Sequence, residues 1–152
     1  MNIEQALYSA VYESAKNILQ GNGYETDLGK ALRDWKNAVV PRESEAVFEI
    51  RDVGGSASEE QYPFQHETIN YEFVIAARYG ADTASFLRSA RADIYRMIEN
   101  NIDDWRKAVG NASLKPTRAG FSRDIRTEER IIGELTMTIE FTYEQEYYNP
   151  NI

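Results

Sequence analysis

The feature that most constrains the fold is a strictly alternating segment, residues 66–79, that runs directly into an amphipathic one. Every second position from Ile69 is apolar, and a period of two places these side chains on one face of a β-strand. Gly80 ends the alternation, and apolar residues then recur every three or four positions. This spacing predicts a helix that is capped by Asp82 or Thr83 and runs through Asn101, followed by a short helical or irregular extension over 102–110. Its predicted buried stripe is Phe86, Leu87, Ala90, Ile94, Met97 and Ile98.

Residues 131–146 form a second long alternating segment, with apolar side chains at Leu135, Met137, Ile139, Phe141 and Tyr143. It predicts another strand with one buried face. Residues 45–51 also alternate, whereas 114–125 predict a weaker strand because Pro116 and Gly120 interrupt the pattern.

The N-terminal segment 3–19 carries one apolar stripe at helical spacing, and the glycines of 21–23 end the predicted helix. Residues 24–26 are compatible with a short strand. The segment 27–38 is ambiguous, since its apolar residues share a helical face but Gly29 weakens a helix. The polar segment 54–63 is too long for a tight hairpin turn and is predicted to be a mobile loop.

These elements follow the order α-β-β-α-β-β, with room for one more short strand before residue 41. They predict an α+β fold in which two main helices pack on one face of a mostly antiparallel sheet of four to five strands. At 152 residues the chain is expected to form a single domain over 1–146, followed by a flexible C-terminal tail, 147–152.

Composition excludes several classes of protein. There is no Cys, no apolar run of the roughly 18 residues that a membrane span needs, and no N-terminal secretory signal. We therefore expect a protein made in the cytoplasm, without disulfides and without a membrane partner. The net charge of −8 argues against non-specific binding of nucleic acid, which needs a basic surface.

The charge is unevenly distributed along the chain. Residues 43–72 hold eight acids and one base, whereas 106–130 hold seven bases and three acids. These segments are either two solvated faces or two complementary patches that meet between copies, as a head-to-tail ring requires. The candidate subunit-interface residues are Glu49, Asp52, Glu59, Glu60, Glu72, Arg118, Arg123, Arg126 and Arg130.

The sequence offers little for catalysis. His66 is the only His, and His66-Glu67-Thr68-Ile69-Asn70 has Asn where a zinc-protease helix needs its second His. The outward-facing Glu140 and Glu144 resemble half of a glycosidase carboxylate pair, but no other feature supports a hydrolase. We expect neither an enzyme nor a metal or cofactor site. A small ligand- or RNA-binding α+β module is an alternative, although Phe121 is the only aromatic residue within the basic segment.

Three segments resemble the tail-terminator (tail completion, minor tail protein U-like) family of long-tailed bacteriophages. The first is the N-terminal helix with the motif of residues 23–29 and Trp35. The second is the acidic strand-into-helix unit 67–98, which includes Leu87-Arg88 and Ala92-Asp93-Ile94. The third is the basic stretch 118–130 that leads into the strand ending Ile139-Glu140-Phe141-Thr142-Tyr143.

The resemblance implies a structural virion protein of a phage or prophage. Such proteins form a hexameric ring on the head-proximal end of the tail tube, where the ring stops tube polymerisation and offers the head-tail joining surface. The implied partners are further copies of the chain, the tail tube protein and the head-tail connector protein, with DNA passing through the lumen without specific binding. Another ring-forming connector or neck protein is an alternative with nearly the same sequence features.

Overall fold

The computed structural model describes residues 2–34, 41–61, 64–126 and 132–146, apart from the side chains of 58–61, 64 and 146. The two helices are α1 (Ile3–Lys16) and α2 (Thr83–Val109). The five strands are β1 (Leu32–Arg33), β2 (Glu45–Gln61), β3 (Phe64–Arg78), β4 (Lys115–Arg126) and β5 (Ile132–Glu146). Short 3-10 turns occupy 20–22, 28–31 and 80–82.

The strands form one sheet in the order β1-β2-β3-β5-β4. Only the β1–β2 contact is parallel, and it joins just two residue pairs, Leu32 with Phe48 and Arg33 with Glu49. The other three contacts are antiparallel. The predicted α+β class with two helices and a mostly antiparallel sheet is confirmed. The observed order adds β1 between α1 and β2, where the sequence left room for one more short strand before residue 41.

The core lies between the helices and one face of the sheet. Tyr71 of β3 is at its centre, with its ring 6.3 Å from that of Tyr8 on α1 and 5.0 Å from that of Phe141 on β5. Trp105 of α2 packs edge-on against Phe141, with the ring centroids 5.9 Å apart. Both helices therefore cover the same sheet face, as the alternation of the strands predicted.

Residues 102–109 continue α2 without a break, so the predicted extension over 102–110 is helical up to Val109. Trp105 explains the continuation: its side chain is buried, and its indole nitrogen donates a hydrogen bond of 2.8 Å to the Ser14 hydroxyl on α1. The predicted side-chain caps of α2 are wrong. Asp82 makes no capping bond, and the Thr83 hydroxyl instead donates to the Gly80 carbonyl and accepts from the Tyr79 amide.

The largest correction concerns residues 54–61, which are not a loop. They continue β2 beside β3, so that the two strands form a long antiparallel arm. The polar composition misled the prediction, because residues 54–57 are exposed and a strand without a buried face needs no apolar alternation. Val53 is the unpaired residue of a bulge between Asp52 and Gly54, and Gly54 has a φ of 137°. A Cβ at Gly55 would lie 2.0 Å from the Thr68 carbonyl oxygen, so close strand approach depends on this glycine.

The short strand predicted at 24–26 is also absent, since these residues form a bend that Asp93 holds in place. The Asp93 carboxylate is fully buried on α2 and accepts hydrogen bonds from the Glu25 amide at 2.9 Å and the Thr26 amide at 2.8 Å. It also accepts from the Thr26 hydroxyl at 2.6 Å, and the Arg96 guanidinium lies 3.7 Å away. One side chain thus joins the chain after α1 to the middle of α2.

The remaining predicted elements either can be compared with the structure or concern residues that the structure does not describe. Helix α1 ends at Lys16 rather than residue 19, and its buried stripe is Leu7, Val11 and Ala15. The strands expected at 45–51, 66–79, 114–125 and 131–146 are confirmed within one to two residues, apart from the continuation of β2. Residues 35–40 with Trp35, residue 131 and the tail 147–152 lie outside the described residues.

We expect Asp93→Ala to lower the free energy of unfolding by about 3 kcal/mol, because it leaves the buried Thr26 amide and the partly buried Glu25 amide without an acceptor. Thr26→Val removes only the hydroxyl and should cost about 1 kcal/mol. Urea unfolding followed by circular dichroism measures both. Equal losses in the two variants would show that the carboxylate does not hold this bend.

We expect Gly55→Ala to separate β2 from β3 locally and to lower the free energy of unfolding by about 1–3 kcal/mol, because the new methyl group overlaps the Thr68 carbonyl. Hydrogen exchange should speed up at amides of 55–60 and 65–69 but not in α2. Ser56→Ala at the neighbouring exposed position is the matched control. Unchanged exchange in the arm of Gly55→Ala would contradict the close strand approach.

Candidate functional site

The predicted interface acids do not all reach the surface. Glu49 is only 4% exposed, and its carboxylate accepts a hydrogen bond of 3.1 Å from Nε of Arg51. It lies where β2 has a neighbour on both sides, namely β1 and β3. The alternation of 45–51 places Glu49 and Val47 on the sheet face opposite Phe48 and Ile50, and both are buried. Because Glu49 is buried and Arg51 neutralises it within the chain, this carboxylate is not part of the acidic surface at the edge of the sheet.

The other predicted interface acids lie on β2 and β3. Asp52 is exposed on β2, one residue pair beyond the half-buried Glu72 on β3. Glu59 and Glu60 lie in the far part of β2, and their side chains are not among those described. Asp52 is thus the predicted interface acid with an exposed, described carboxylate.

The predicted basic residues lie along β4 at the opposite edge of the sheet. Arg118, Arg123 and Arg126 are all exposed, and Arg130 lies outside the described residues. Arg118 pairs with Glu99 of α2 at 3.2 Å and Arg126 with Asp124 at 3.3 Å. Such exposed pairs contribute little energy, so these guanidinium groups can exchange partners readily.

Arginines and aromatic rings alternate where α2 meets β4. The Arg118 guanidinium lies 3.7 Å from the centre of the Tyr95 ring, and that of Arg91 lies 3.8 Å from the centre of the Phe121 ring. The Arg123 guanidinium lies 5.4 Å from the centre of the same Phe121 ring. These cation–π contacts orient the basic side chains along the edge. Sequence reasoning recognised Phe121 and missed Tyr95 and Arg91, because they come from a helix more than twenty residues away.

An open acidic groove of about 580 Å³ lies beside β2, at the other edge. Its polar and aromatic lining comes from the first three turns of α1 together with Asp34 and Asp52. The lining residues are Asn2, Glu4, Gln5, Tyr8, Ser9, Tyr12, Glu13, Asp34 and Asp52. The Tyr8 hydroxyl donates a hydrogen bond of 3.0 Å to the Ile50 carbonyl, which fixes α1 against β2 at this point. The groove combines four carboxylates with two phenol rings, which favours a cationic occupant.

Burial and these carboxylates make the nearby phenols hard to ionise. Desolvation, followed by the charges of Asp52 and Asp34 and by the Tyr12 phenol, raises the pKa of Tyr8 to about 12. Desolvation, followed by Glu67 and Glu4, raises the pKa of Tyr143 to about 12. Desolvation by burial, followed by the charge of Asp52, raises the pKa of Tyr71 further.

The two charged regions do not meet within one molecule. The sheet order places β3 and β5 between β2 and β4, so the two edges are roughly 14 Å apart at the usual strand spacing. The structure therefore brings the basic residues together on one edge and keeps Asp52 and the groove at the other.

The described residues contain no group of three or more His, Cys, Asp or Glu side chains placed to hold a metal ion. His66 lies near Glu144 on the adjacent strand, with Nε2 and Oε1 3.7 Å apart. In the same part of the chain, no helix is both long and apolar enough to cross a lipid bilayer.

A scan against protein-family models and a search of curated proteins found no match to this chain.

We expect the free energy of unfolding to fall as the pH rises from 10 to 12. The folded chain holds the Tyr8 and Tyr143 protons with a pKa of about 12, above the ordinary value of 10, so it binds protons that the unfolded chain releases. The stabilisation from these two protons is fully present below pH 10 and is lost as the pH rises through 12. Difference absorbance of the phenolate during an alkaline titration counts the late-titrating tyrosines, which ionise above the ordinary pKa of 10.

Tyr8→Phe should remove one late-titrating phenol from that count. Tyr24→Phe is the control, because Tyr24 is not among the residues that line the groove. An unchanged count in Tyr8→Phe would contradict the groove environment described for this phenol.

Proposed function

We propose that this chain is a structural virion protein of a long-tailed phage or prophage, made in the host bacterial cytoplasm. In this proposal several copies, six by the family resemblance, form a ring at the head-proximal end of the tail tube. The ring terminates tube polymerisation and provides the head-tail joining surface. The chain is then not an enzyme, takes no cofactor and lets DNA pass through the lumen without specific binding.

The observation that carries this proposal is the separation of charge to opposite edges of one sheet. The basic edge is β4, and the acidic groove with Asp52 lies beside β2. A molecule with complementary surfaces on opposite sides makes heterologous contacts, which close into a ring when the rotation between copies divides a full turn. The resemblance in sequence supplies the place of that ring in the tail. A neck or connector ring is the nearest alternative.

A second candidate function rests on one specific observation, the alternation of arginines with Tyr95 and Phe121. Phe121 is 42% exposed and lies next to Arg91 and Arg123, and single-stranded nucleic acid binds such combinations of stacking rings and cations. Fluorescence anisotropy with a labelled single-stranded RNA tests it. Binding that falls with salt and is lost in Phe121→Ala would favour this function over the ring.

We expect the purified chain at low salt to show a mass of several copies by light scattering, with an open-centred ring in negative-stain images. The ring should weaken in about 1 M salt, where charges are screened beyond about 3 Å. Added to polymerising tail tube protein of the same phage, the chain should shorten the tubes. Bovine serum albumin at equal concentration controls for crowding.

A chain that is monomeric at every concentration and salt, and that leaves tube length unchanged, would refute the tail-terminator function. A stable ring that does not shorten tubes would instead favour the connector or neck protein.

A further inference from the structure

Two long strand edges lack a neighbour in the described part of the chain. Strand β4 pairs with β5 only, over 115–126. Strand β2 has β1 beside Phe48 and Glu49 but pairs with β3 only over 50–61. The two open edges have equal lengths of sequence. An open edge presents a row of backbone N–H and C=O groups that can pair with a strand from another molecule.

The exposed apolar side chains concentrate on the same two edges. The large hydrophobic residues found exposed in the described part are Val53 on β2 and Phe121 and Ile125 on β4, with 51%, 42% and 40% of their surface accessible. Exposed apolar groups clustered on open strand edges indicate a contact surface. Strand addition would cover all three.

The charges select which edges can pair. A contact between β4 and a second β4 would bring Arg118, Arg123 and Arg126 against their own copies, which like-charge repulsion disfavours. A contact between β4 and the open edge of β2 brings Arg123 and Arg126 toward Asp52 and the acidic groove. The arginines thus oppose a symmetric dimer and favour a head-to-tail contact.

The strand directions in the sheet decide whether β4 of one copy would run parallel or antiparallel to β2 of the next. Since β2–β3, β3–β5 and β5–β4 are all antiparallel, β4 runs opposite to β2. Rotation about an axis nearly parallel to the strands preserves strand direction, so β4 of one copy meets β2 of the next in antiparallel orientation. The C-terminal half of β4, with Arg123 and Ile125, then lies beside the start of the open edge, with Asp52 and Val53.

We propose that β4 of one copy adds to the open edge of β2 in the next copy. The two sheets become continuous, the C-terminal arginines of β4 enter the groove formed by Tyr8, Glu13 and Asp52, and Ile125 covers Val53. This inference rests on the proposed ring function and specifies its subunit contact.

A charge exchange between two variants tests the contact. The edge variant carries Arg123→Glu with Arg126→Glu, and the groove variant carries Glu13→Arg with Asp52→Arg. Each variant alone places like charges together at every contact and should raise the concentration needed for ring assembly by about a hundredfold or more. An equimolar mixture restores opposite charges at every contact and should form rings again.

Matched controls change the same total charge elsewhere on the exposed surface. Arg88→Glu with Lys107→Glu reverses two cations of α2, and Glu25→Arg with Asp104→Arg reverses two acids outside the groove. Both controls should form rings at the wild-type concentration. Circular dichroism shows that every variant folds.

The outcomes separate this inference from the ring function itself. If the wild type forms rings and either the edge or the groove variant alone forms them equally well, the proposed contact is wrong and the ring function stands. If both variants fold and their mixture does not assemble, the contact is also wrong. If the wild type forms no ring and does not cap tubes, the proposed function fails first.

Cysteine cross-linking gives a readout that does not depend on charge, because the natural chain contains no Cys. A mixture of Val53→Cys and Ile125→Cys should give a covalent dimer with a short bismaleimide, whereas either variant alone should give at least tenfold less. A mixture of Val53→Cys and Arg88→Cys is the control. Equal cross-linking in the control mixture would overturn the assigned contact.

Discussion

The rest of the structure depends on burying one face of the sheet beneath two helices. Tyr71 and Phe73 of the central strand, with Phe48 and Phe141 on its neighbours, form an aromatic layer that α1 and α2 cover. Burial of this layer is the main favourable contribution to folding. Because two helices cover the middle of the sheet, β4 and the far part of β2 extend beyond their cover. The same constraint therefore creates both the core and the open edges.

The connections that hold the helices in place are polar and specific. Asp93 ties the bend after α1 to α2, and the indole of Trp105 bonds Ser14 across the two helices. At the edge of the sheet, the Tyr8 hydroxyl bonds the Ile50 carbonyl and positions α1 beside Asp52. This last bond has a functional consequence in our proposal, because the helix and the strand together form the acidic groove. Stability and the candidate interface thus share one contact.

Much of the fold was predictable because long amphipathic elements carry their own periodicity. The alternation of 66–79 and 131–146 gave two strands and their buried faces, and the stripe in α2 gave its packing side. The strand over 54–61 was missed, since its exposed part, 54–57, needs only backbone pairing, and Gly54 and Gly55 resemble a loop in sequence. The burial of Glu49 was also missed, and this residue pairs with Arg33 of β1, a two-residue strand that no local pattern reveals.

The candidate site divides in the same way. The sequence by itself determined that acids and bases occupy separate segments, that catalytic residue types are scarce and that the sheet has one apolar face, because these properties depend on composition and local spacing. Only the tertiary structure decided that the basic segment is an open edge, that Tyr95 and Arg91 join it from α2, and that Asp52 meets α1 in a groove. Such arrangements require residues distant in sequence to meet, and strand order, not residue pattern, decides which of them do.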